Sequence, residues 1–257
     1  MPVALITGGS AGLGLALANS LTERGWNLII DARRAPELRS AATALGPTAI
    51  ALTGDIADPA HRRELAEIAA GFGALDLLVN NASSLGPSPL PALADYPLAD
   101  LSAVHQVNVV APLGLIQLTL PLLGAASGTI VNISSDAAVE PYPGWGGYGS
   151  SKAALDQLTA VLAAELGPAY PDLRVYGFDP GDLRTAMHQR AFPGEDISDR
   201  PEPGTVIPAL LRLLADRPPN GRYRAADLLY SEPADNEPAH SESAHNVSAL
   251  LQSESAS

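Results

Sequence analysis

The 257 residues contain no cysteine, which excludes disulfides, thiolate nucleophiles and thiolate metal sites. Lysine is almost missing: Lys152 stands alone beside fourteen arginines. Basic charge is scarce, with 15 Lys and Arg against 28 Asp and Glu, a net charge of −13. Such a surface does not suit nucleic acid or an anionic membrane. No uninterrupted apolar stretch reaches the roughly 18 residues that a bilayer span requires. No signal-peptide pattern is readable, because Met1-Pro-Val-Ala-Leu-Ile6 runs into a glycine turn without a basic segment before it. What remains is 46% hydrophobic and only 17% charged, the balance of a compact globular protein rather than a disordered one. The length fits one large α/β domain or two small ones. The expectation is a cytoplasmic protein acting on a small molecule, with no metal site.

Val3-Ala-Leu-Ile-Thr7 reads as a buried strand that ends in Gly8-Gly-Ser10-Ala-Gly12-Leu13-Gly14, followed by a helical pattern at Leu15, Leu17, Ala18 and Leu21. Strand, glycine turn and helix together form a context in which backbone N–H groups cradle a pyrophosphate. The spacing is Gly8-x-x-x-Gly12-x-Gly14, and a tight turn without a ligand is the plainer alternative. Further strands are expected at Asn27–Asp31, Thr48–Leu52, Leu75–Asn81, Thr129–Ser134 and Leu173–Phe178. Helices are expected after Pro36, from Pro59 to about Phe72, over 101–123, and through Lys152 to about Leu166. This alternation predicts a Rossmann-type doubly wound parallel β-sheet of about seven strands, flanked by helices, in a single domain over 1–230. Residues 184–204 are rich in Pro and Gly and read as a mobile flap with one short helix at 186–190. A helix at 205–216 and a strand at 221–228 close the domain. From Ser231 the chain is acidic, without Lys or Arg, and a disordered tail is expected over 231–257, although its Val247–Leu251 patch could dock on a neighbouring surface.

Tyr148 and Lys152 are four residues apart, so on a helix the phenol and the ammonium share one face. Lysine is a compact point charge where arginine is a planar fork. An ammonium beside a phenol favours the phenolate and lowers a pKa that is ordinarily about 10.

Several motifs stand in one order: Thr7-Gly-x-x-x-Gly-x-Gly14, Asp55, Asn80-Asn-Ala82, Asn108, Ser135, Tyr148-x-x-x-Lys152 and Pro180-Gly181. Together they resemble the short-chain dehydrogenase/reductase family over residues 3 to about 229. Asn81-Ala-Ser-Ser-Leu-Gly86 and Pro141-x-x-Gly-Trp145-x-x-Tyr148 look like its sepiapterin reductase and benzil reductase branch. The resemblance implies Tyr148 as general acid, Ser135 positioning the substrate oxygen, and Lys152 tuning the phenol and holding ribose hydroxyls. It also implies that Asn108 holds a water that passes protons toward Lys152. Cofactor contacts would come from Gly8, Ser10, Gly12, Leu13, Gly14, Arg33, Arg34, Asp55, Ile56, Asn81, Tyr148, Lys152, Pro180, Gly181, Leu183 and Thr185. Two departures stand out. The family's Asn-Asn-Ala-Gly reads Asn-Asn-Ala-Ser83 here, and Phe192–Arg200 is unlike the branch.

The expected activity is reduction of a ketone or similar carbonyl, such as an aromatic diketone or a pterin-like compound. An NAD-dependent secondary-alcohol dehydrogenase and a non-catalytic dinucleotide sensor remain as alternatives. Tyr142, Trp145, His188 and Phe192 are candidates for an aromatic substrate pocket. NADP(H) is expected over NAD(H). An NAD-selecting acid belongs at the end of the second strand, where this register has Ala32 rather than Asp31, followed by Arg33 and Arg34. The family usually pairs through helices corresponding to 101–123 and 148–166, which implies a homodimer or homotetramer.

Overall fold

A computed structural model describes residues 1–230. Its core is a seven-stranded sheet of order β3-β2-β1-β4-β5-β6-β7, every neighbouring pair parallel. The strands are β1 (Val3–Ile6), β2 (Asn27–Ala32), β3 (Ala49–Thr53), β4 (Leu77–Asn80), β5 (Thr129–Ile133), β6 (Arg174–Asp179) and β7 (Gly221–Arg224). The central strands are apolar on both faces, and their side chains alternate between two cores. Ala4 and Ile6 of β1 and Leu28 and Ile30 of β2 join α1 (Gly12–Thr22), α2 (Ala35–Leu45) and α8 (Ile207–Asp216). Val3, Leu5 and Ile29 point the other way, onto α3 (Pro59–Ala70) and α5 (Ala111–Ala126). A sheet covered on both faces leaves ligands only the crevice beyond the strands' carboxyl ends.

Local chemistry sets several boundaries. Pro59 fits the first turn of α3, where its missing N–H would have no partner, and Asp58 caps the helix by accepting from Ala60 N–H at 2.8 Å. Asn80 of β4 and Asn132 of β5 are buried in the sheet, and they satisfy each other at 2.8 Å while Asn132 also donates to Thr159 on α6 (Gly146–Leu166).

The expected helix over 101–123 is a longer helical run, Leu98–Ala126, interrupted by a π-turn at Gln106–Val110 between α4 (Leu98–His105) and α5. By length and composition this run could cross a membrane, contrary to the first reading of the sequence. Val104, Ala111, Leu115, Ile116 and Leu123 are nevertheless buried in the domain, as in a helix packed on a sheet. The last strand also differs from expectation. It stops at Arg224, and Ala225–Tyr230 form helix α9, because good helix formers with Asp227 in the first turn outweigh a strand there. The expected helix at 205–216 divides into a 3-10 turn, Pro203–Val206, and α8. The expected flap contains α7 (Ala186–Ala191), and its ends are tied by Arg184 N–H donating to the Pro201 carbonyl at 2.8 Å. The acidic tail expected from 231 lies outside the described residues.

Candidate active site

The carboxyl ends of the strands open into one cleft of about 920 Å³. At one end is the glycine turn. Gly8 has φ 68° and Gly12 φ 56°, a left-handed conformation that disfavours side chains. Gly14 lies behind the cleft wall: a Cβ there would sit 2.6 Å from Asn81 Nδ2 and 2.7 Å from the Gly8 carbonyl. Asn81 fastens the turn by donating to the carbonyls of Thr7 (2.8 Å) and Gly8 (3.2 Å). Thr7 Oγ1 accepts from the backbone N–H groups of Asn81 and Ala82, so the ends of β1 and β4 are locked together. Ser10, Gly12 and Leu13 face the cleft from α1 and the turn before it.

At the end of β2 the two candidate positions for a ribose-reading acid, Asp31 and Ala32, separate. Asp31 is 2% exposed, and both of its oxygens are committed: Oδ1 to Gly8 N–H at 2.8 Å and Oδ2 to His61 Nε2 at 2.9 Å. Ala32, Arg33 and Arg34 line the mouth of the cleft. Arg34 pairs with Glu37 at 3.1 Å, while Arg33 has no ion pair among the described residues. Across the mouth, Asp55 accepts from Ala57 N–H at 2.9 Å, and the Ile56 carbonyl is held by Arg62 at 2.6 Å. Beyond β6, Gly181 takes φ 72° and donates to Asp179 Oδ1 at 3.0 Å, leading to Leu183 and Thr185 on the cleft wall with Pro180.

Tyr148, Lys152 and Ser135 meet at the inner end. Ser135 follows β5, and Tyr148 lies in the first turn of α6. Ser135 and Ser83 line the cleft with the phenol, and the Ser135 hydroxyl donates to Asp136 Oδ1 at 3.0 Å. Burial, reinforced by Asp179 and Asp136, pushes the pKa of the phenol well above the ordinary value, and the two serines pull the other way. Lys152 is 2% exposed, and burial lowers it to about 8, with Asp156 one turn further along opposing the shift. Its ammonium lies 5.5 Å from the centre of the Tyr148 ring and donates to the Ile133 carbonyl at 2.6 Å. The ammonium lies at the ring face, and burial is the dominant influence on the phenol.

Asn108 is not on the cleft wall. The π-turn directs it behind the wall, where it clamps the segment after β4. Its Oδ1 accepts from Ser84 N–H (2.7 Å) and Ser83 Oγ (3.1 Å), and its Nδ2 donates to the Ser84 carbonyl and to Ser151 Oγ, both at 2.9 Å. The side chain is thus committed to protein partners, and the water-holding role expected of it does not fall to its amide. Inserted π-turns are frequent at functional sites, but nothing in the local residue pattern marked this one.

Two further groups escaped the sequence reading. Arg222 of β7 links Asp156 (3.0 Å), Asp179 (2.9 Å) and the Ser135 carbonyl (2.9 Å), and Ser134 Oγ adds a bond to Asp156 at 2.8 Å. This network braces three strand ends directly behind the phenol. His61 supports Asp31. Toward solvent the cleft has an aromatic wall: Trp145 stands edge-on to Tyr148 at 5.8 Å and 6.0 Å from Phe192, which lies 5.0 Å from His188. Tyr142, also on the wall, donates to Asp136 at 3.0 Å.

Residues 2–196 match the short chain dehydrogenase family. The chain is similar to a serine 3-dehydrogenase of Agrobacterium fabrum, 37% identical over 183 residues, covering 70% of this chain and 72% of that protein. Among solved structures, a short chain dehydrogenase of Shigella flexneri complexed with NADP superposes with a TM-score of 0.80 at 30% identity, covering 88% of this chain and 97% of that one. One from Escherichia coli complexed with NADPH also gives 0.80, at 31% identity, covering 87% and 96%.

Proposed function

This chain belongs to the short-chain dehydrogenase family of oxidoreductases, and we propose that it is an NADP(H)-dependent reductase of a ketone or related carbonyl, with Tyr148 as the acid. One observation carries the reading. A phenol, with Ser135 beside it on the cleft wall and a buried ammonium at its ring, lies at the inner end of a cleft whose other end is a left-handed glycine turn.

The residues fit a dinucleotide. Gly12 lines the cleft at the start of α1, and a Cβ there would meet only Thr185 at 3.5 Å, so the backbone is open where N–H groups favour a pyrophosphate. Asp55 and Ile56 flank the adenine end, and Pro180, Gly181, Leu183 and Thr185 the nicotinamide end. Asp31 is buried and bonded through both oxygens to Gly8 N–H and His61, which turns it toward the protein, whereas exposed Arg33 can meet a 2′-phosphate. A reduced nicotinamide held there would supply the hydride for the carbonyl carbon. Ser135 orients the carbonyl oxygen, and Tyr148 gives it a proton; a phenol raised by burial stays protonated at neutral pH and so is ready as an acid. Lys152 brings positive charge toward the ribose and the forming phenolate. The network through Arg222 keeps Ser135 and the Asp179 turn in place.

The aromatic wall of Trp145, Phe192 and His188 suits a flat conjugated carbonyl compound, such as an aromatic diketone or a pterin-like substrate. Exposed Val110, Leu118 and Val161 on the π-turn, α5 and α6 suit pairing of two copies into a homo-oligomer, which light scattering would measure. A sensor that only binds dinucleotide has no use for the set of groups around the phenol. The test is a panel of aromatic diketones, simple ketones and secondary alcohols, assayed with both cofactors. Consumption of NADPH with a diketone supports the proposal, and the absence of turnover with every carbonyl compound refutes it.

A further inference from the structure

Asp31, at the end of β2, is almost wholly buried, yet it lines the cleft with Ala32, Arg33 and Gly54. It holds the glycine turn twice. Oδ1 accepts from Gly8 N–H at 2.8 Å, and its main-chain carbonyl accepts from Gly9 N–H at 2.9 Å. The other side-chain oxygen, Oδ2, lies 2.9 Å from His61 Nε2, which is the donor because an ionised carboxylate only accepts. His61 is 6% exposed, in the first turn of α3. Its ring lies directly against Gly54 after β3, where a Cβ would fall 2.1 Å from Nδ1, so only a glycine there leaves the imidazole its place. The next residue, Arg62, turns to the Ile56 carbonyl at 2.6 Å, and among the described residues no other cation pairs with Asp31.

We propose that His61, which does not itself line the cleft, is a positioning residue that selects NADP(H): it holds Asp31 against the glycine turn and so keeps a carboxylate out of the ribose site beside Ala32 and Arg33. The inference rests on the dinucleotide reading above. An acid at the end of the second strand binds the 2′-hydroxyl of NAD(H), and its charge repels the 2′-phosphate of NADP(H). Asp31 has the charge for that task and stands one residue before Ala32, and His61 is what faces its free oxygen. Without the imidazole, Oδ2 loses its donor in a buried setting, a costly state for a charged group. The cleft that Asp31 already lines then offers that oxygen water or a ribose hydroxyl. Oδ1 can stay on Gly8 N–H meanwhile, so the glycine turn keeps its support. His61 thus acts on specificity by removing a competitor of Arg33 rather than by adding a contact to the cofactor.

The experiment measures the dissociation constants of NADPH and NADH by fluorescence titration of the full chain, unmodified and as His61→Phe, His61→Ala and His61→Gln. His61→Phe keeps a ring against Gly54 without the donor, and His61→Ala leaves room for water beside Asp31. His61→Gln returns an N–H at the reach of Nε2. The ratio of the NADH to the NADPH constant is expected to fall about tenfold in the Phe and Ala variants, the scale of one hydrogen bond to a charged group, and to recover in the Gln variant. On an Asp31→Asn background the same substitutions should leave the ratio unmoved, because no carboxylate remains to be released. A ratio that stays put in both the Phe and Ala variants overturns the proposal. So does equal weakening of both cofactors, the mark of a loosened α3, and so does a shift that persists without the Asp31 carboxylate. An unmodified protein that binds neither dinucleotide refutes the reading beneath the inference, and the inference with it. One that prefers NADPH by a ratio indifferent to His61 refutes the inference alone.

Discussion

Cofactor choice gives the sharpest arithmetic. Arg33→Ser removes the guanidinium proposed to hold the 2′-phosphate, and Ala32→Asp places a carboxylate where an NAD-selecting site has one. A hydrogen bond to a charged group contributes about 1.5–3 kcal/mol net. Arg33 is exposed at the cleft mouth, so water and salt screen it, and the lower end of that range applies. About 1.5 kcal/mol corresponds to roughly tenfold in kcat/KM for NADPH. Arg33→Ser should lose that factor with NADPH and little with NADH, which has no phosphate to lose, and the double variant should prefer NADH. The assay is the initial rate of reduced-nicotinamide oxidation with each cofactor, at low and high salt; the NADPH advantage should shrink as salt rises. The reasoning depends on Asp31 staying turned toward its protein partners, Gly8 N–H and His61, rather than toward a ribose. Equal efficiency of the unmodified protein with NADH and NADPH would refute it, because some acid, Asp31 foremost, would then be reading the ribose.

Three other perturbations bear on the inner end of the cleft. Tyr148→Phe should leave folding and NADPH binding intact and lower turnover by about 10²–10⁴, the usual contribution of a general acid; near-normal rates would remove Tyr148 from its role. Lys152→Met should raise the stability of the cofactor-free protein below pH 8. The folded-state pKa of Lys152 is lowered from 10.5 to about 8, so burial of the ammonium costs most below pH 8. That cost fades as pH rises from about 8 toward 10.5, and melting curves across this window should converge. Arg222→Gln strands Asp179 and Asp156 behind the phenol, so it should lower both the melting temperature and kcat; a variant that loses stability alone would confine the network to structure.

The architecture was legible because each strand is a short branched apolar run closed by a turn residue, and each helix carries its own period. Boundaries differed by a residue or two, except where local propensity and tertiary context parted. Residues 221–228 illustrate this: the run looks extended, but only Gly221–Arg224 can pair with β6, and the alanines and leucines beyond it turn into α9. The π-turn at Gln106–Val110 was invisible because an extra residue in a helical turn leaves the apolar pattern on either side almost undisturbed. Tyr148, Lys152 and Ser135 were readable as a constellation, and they do converge. What failed was inference about interactions from spacing. Positions four apart on a helix put Lys152 near Tyr148, but do not show that the ammonium is anchored by the Ile133 carbonyl on β5. Asp156 and Arg222 carry no signal in one dimension, since they become partners only when β7 joins β6.

The solitary lysine gains its explanation from this geometry. Its side chain threads between α6 and the end of β5, almost wholly shielded, and only its last atom meets polar partners. An ammonium has three donors around one atom, so one can fix on Ile133 while the others remain for ribose hydroxyls in the cleft. A guanidinium in the same tunnel would bring five donors on a rigid plane and could not shed its proton. Several of those donors would be buried without acceptors, at roughly 1–3 kcal/mol each. The surface and the ion-pair network show no such constraint, and there the chain uses arginine, as in the forked contacts of Arg222 with two carboxylates and a carbonyl. The cleft therefore separates two kinds of positive charge by the task each must do. Point charge is kept at the phenol and forked charge at the strand ends and the mouth, and exchanging one for the other should fail in both places.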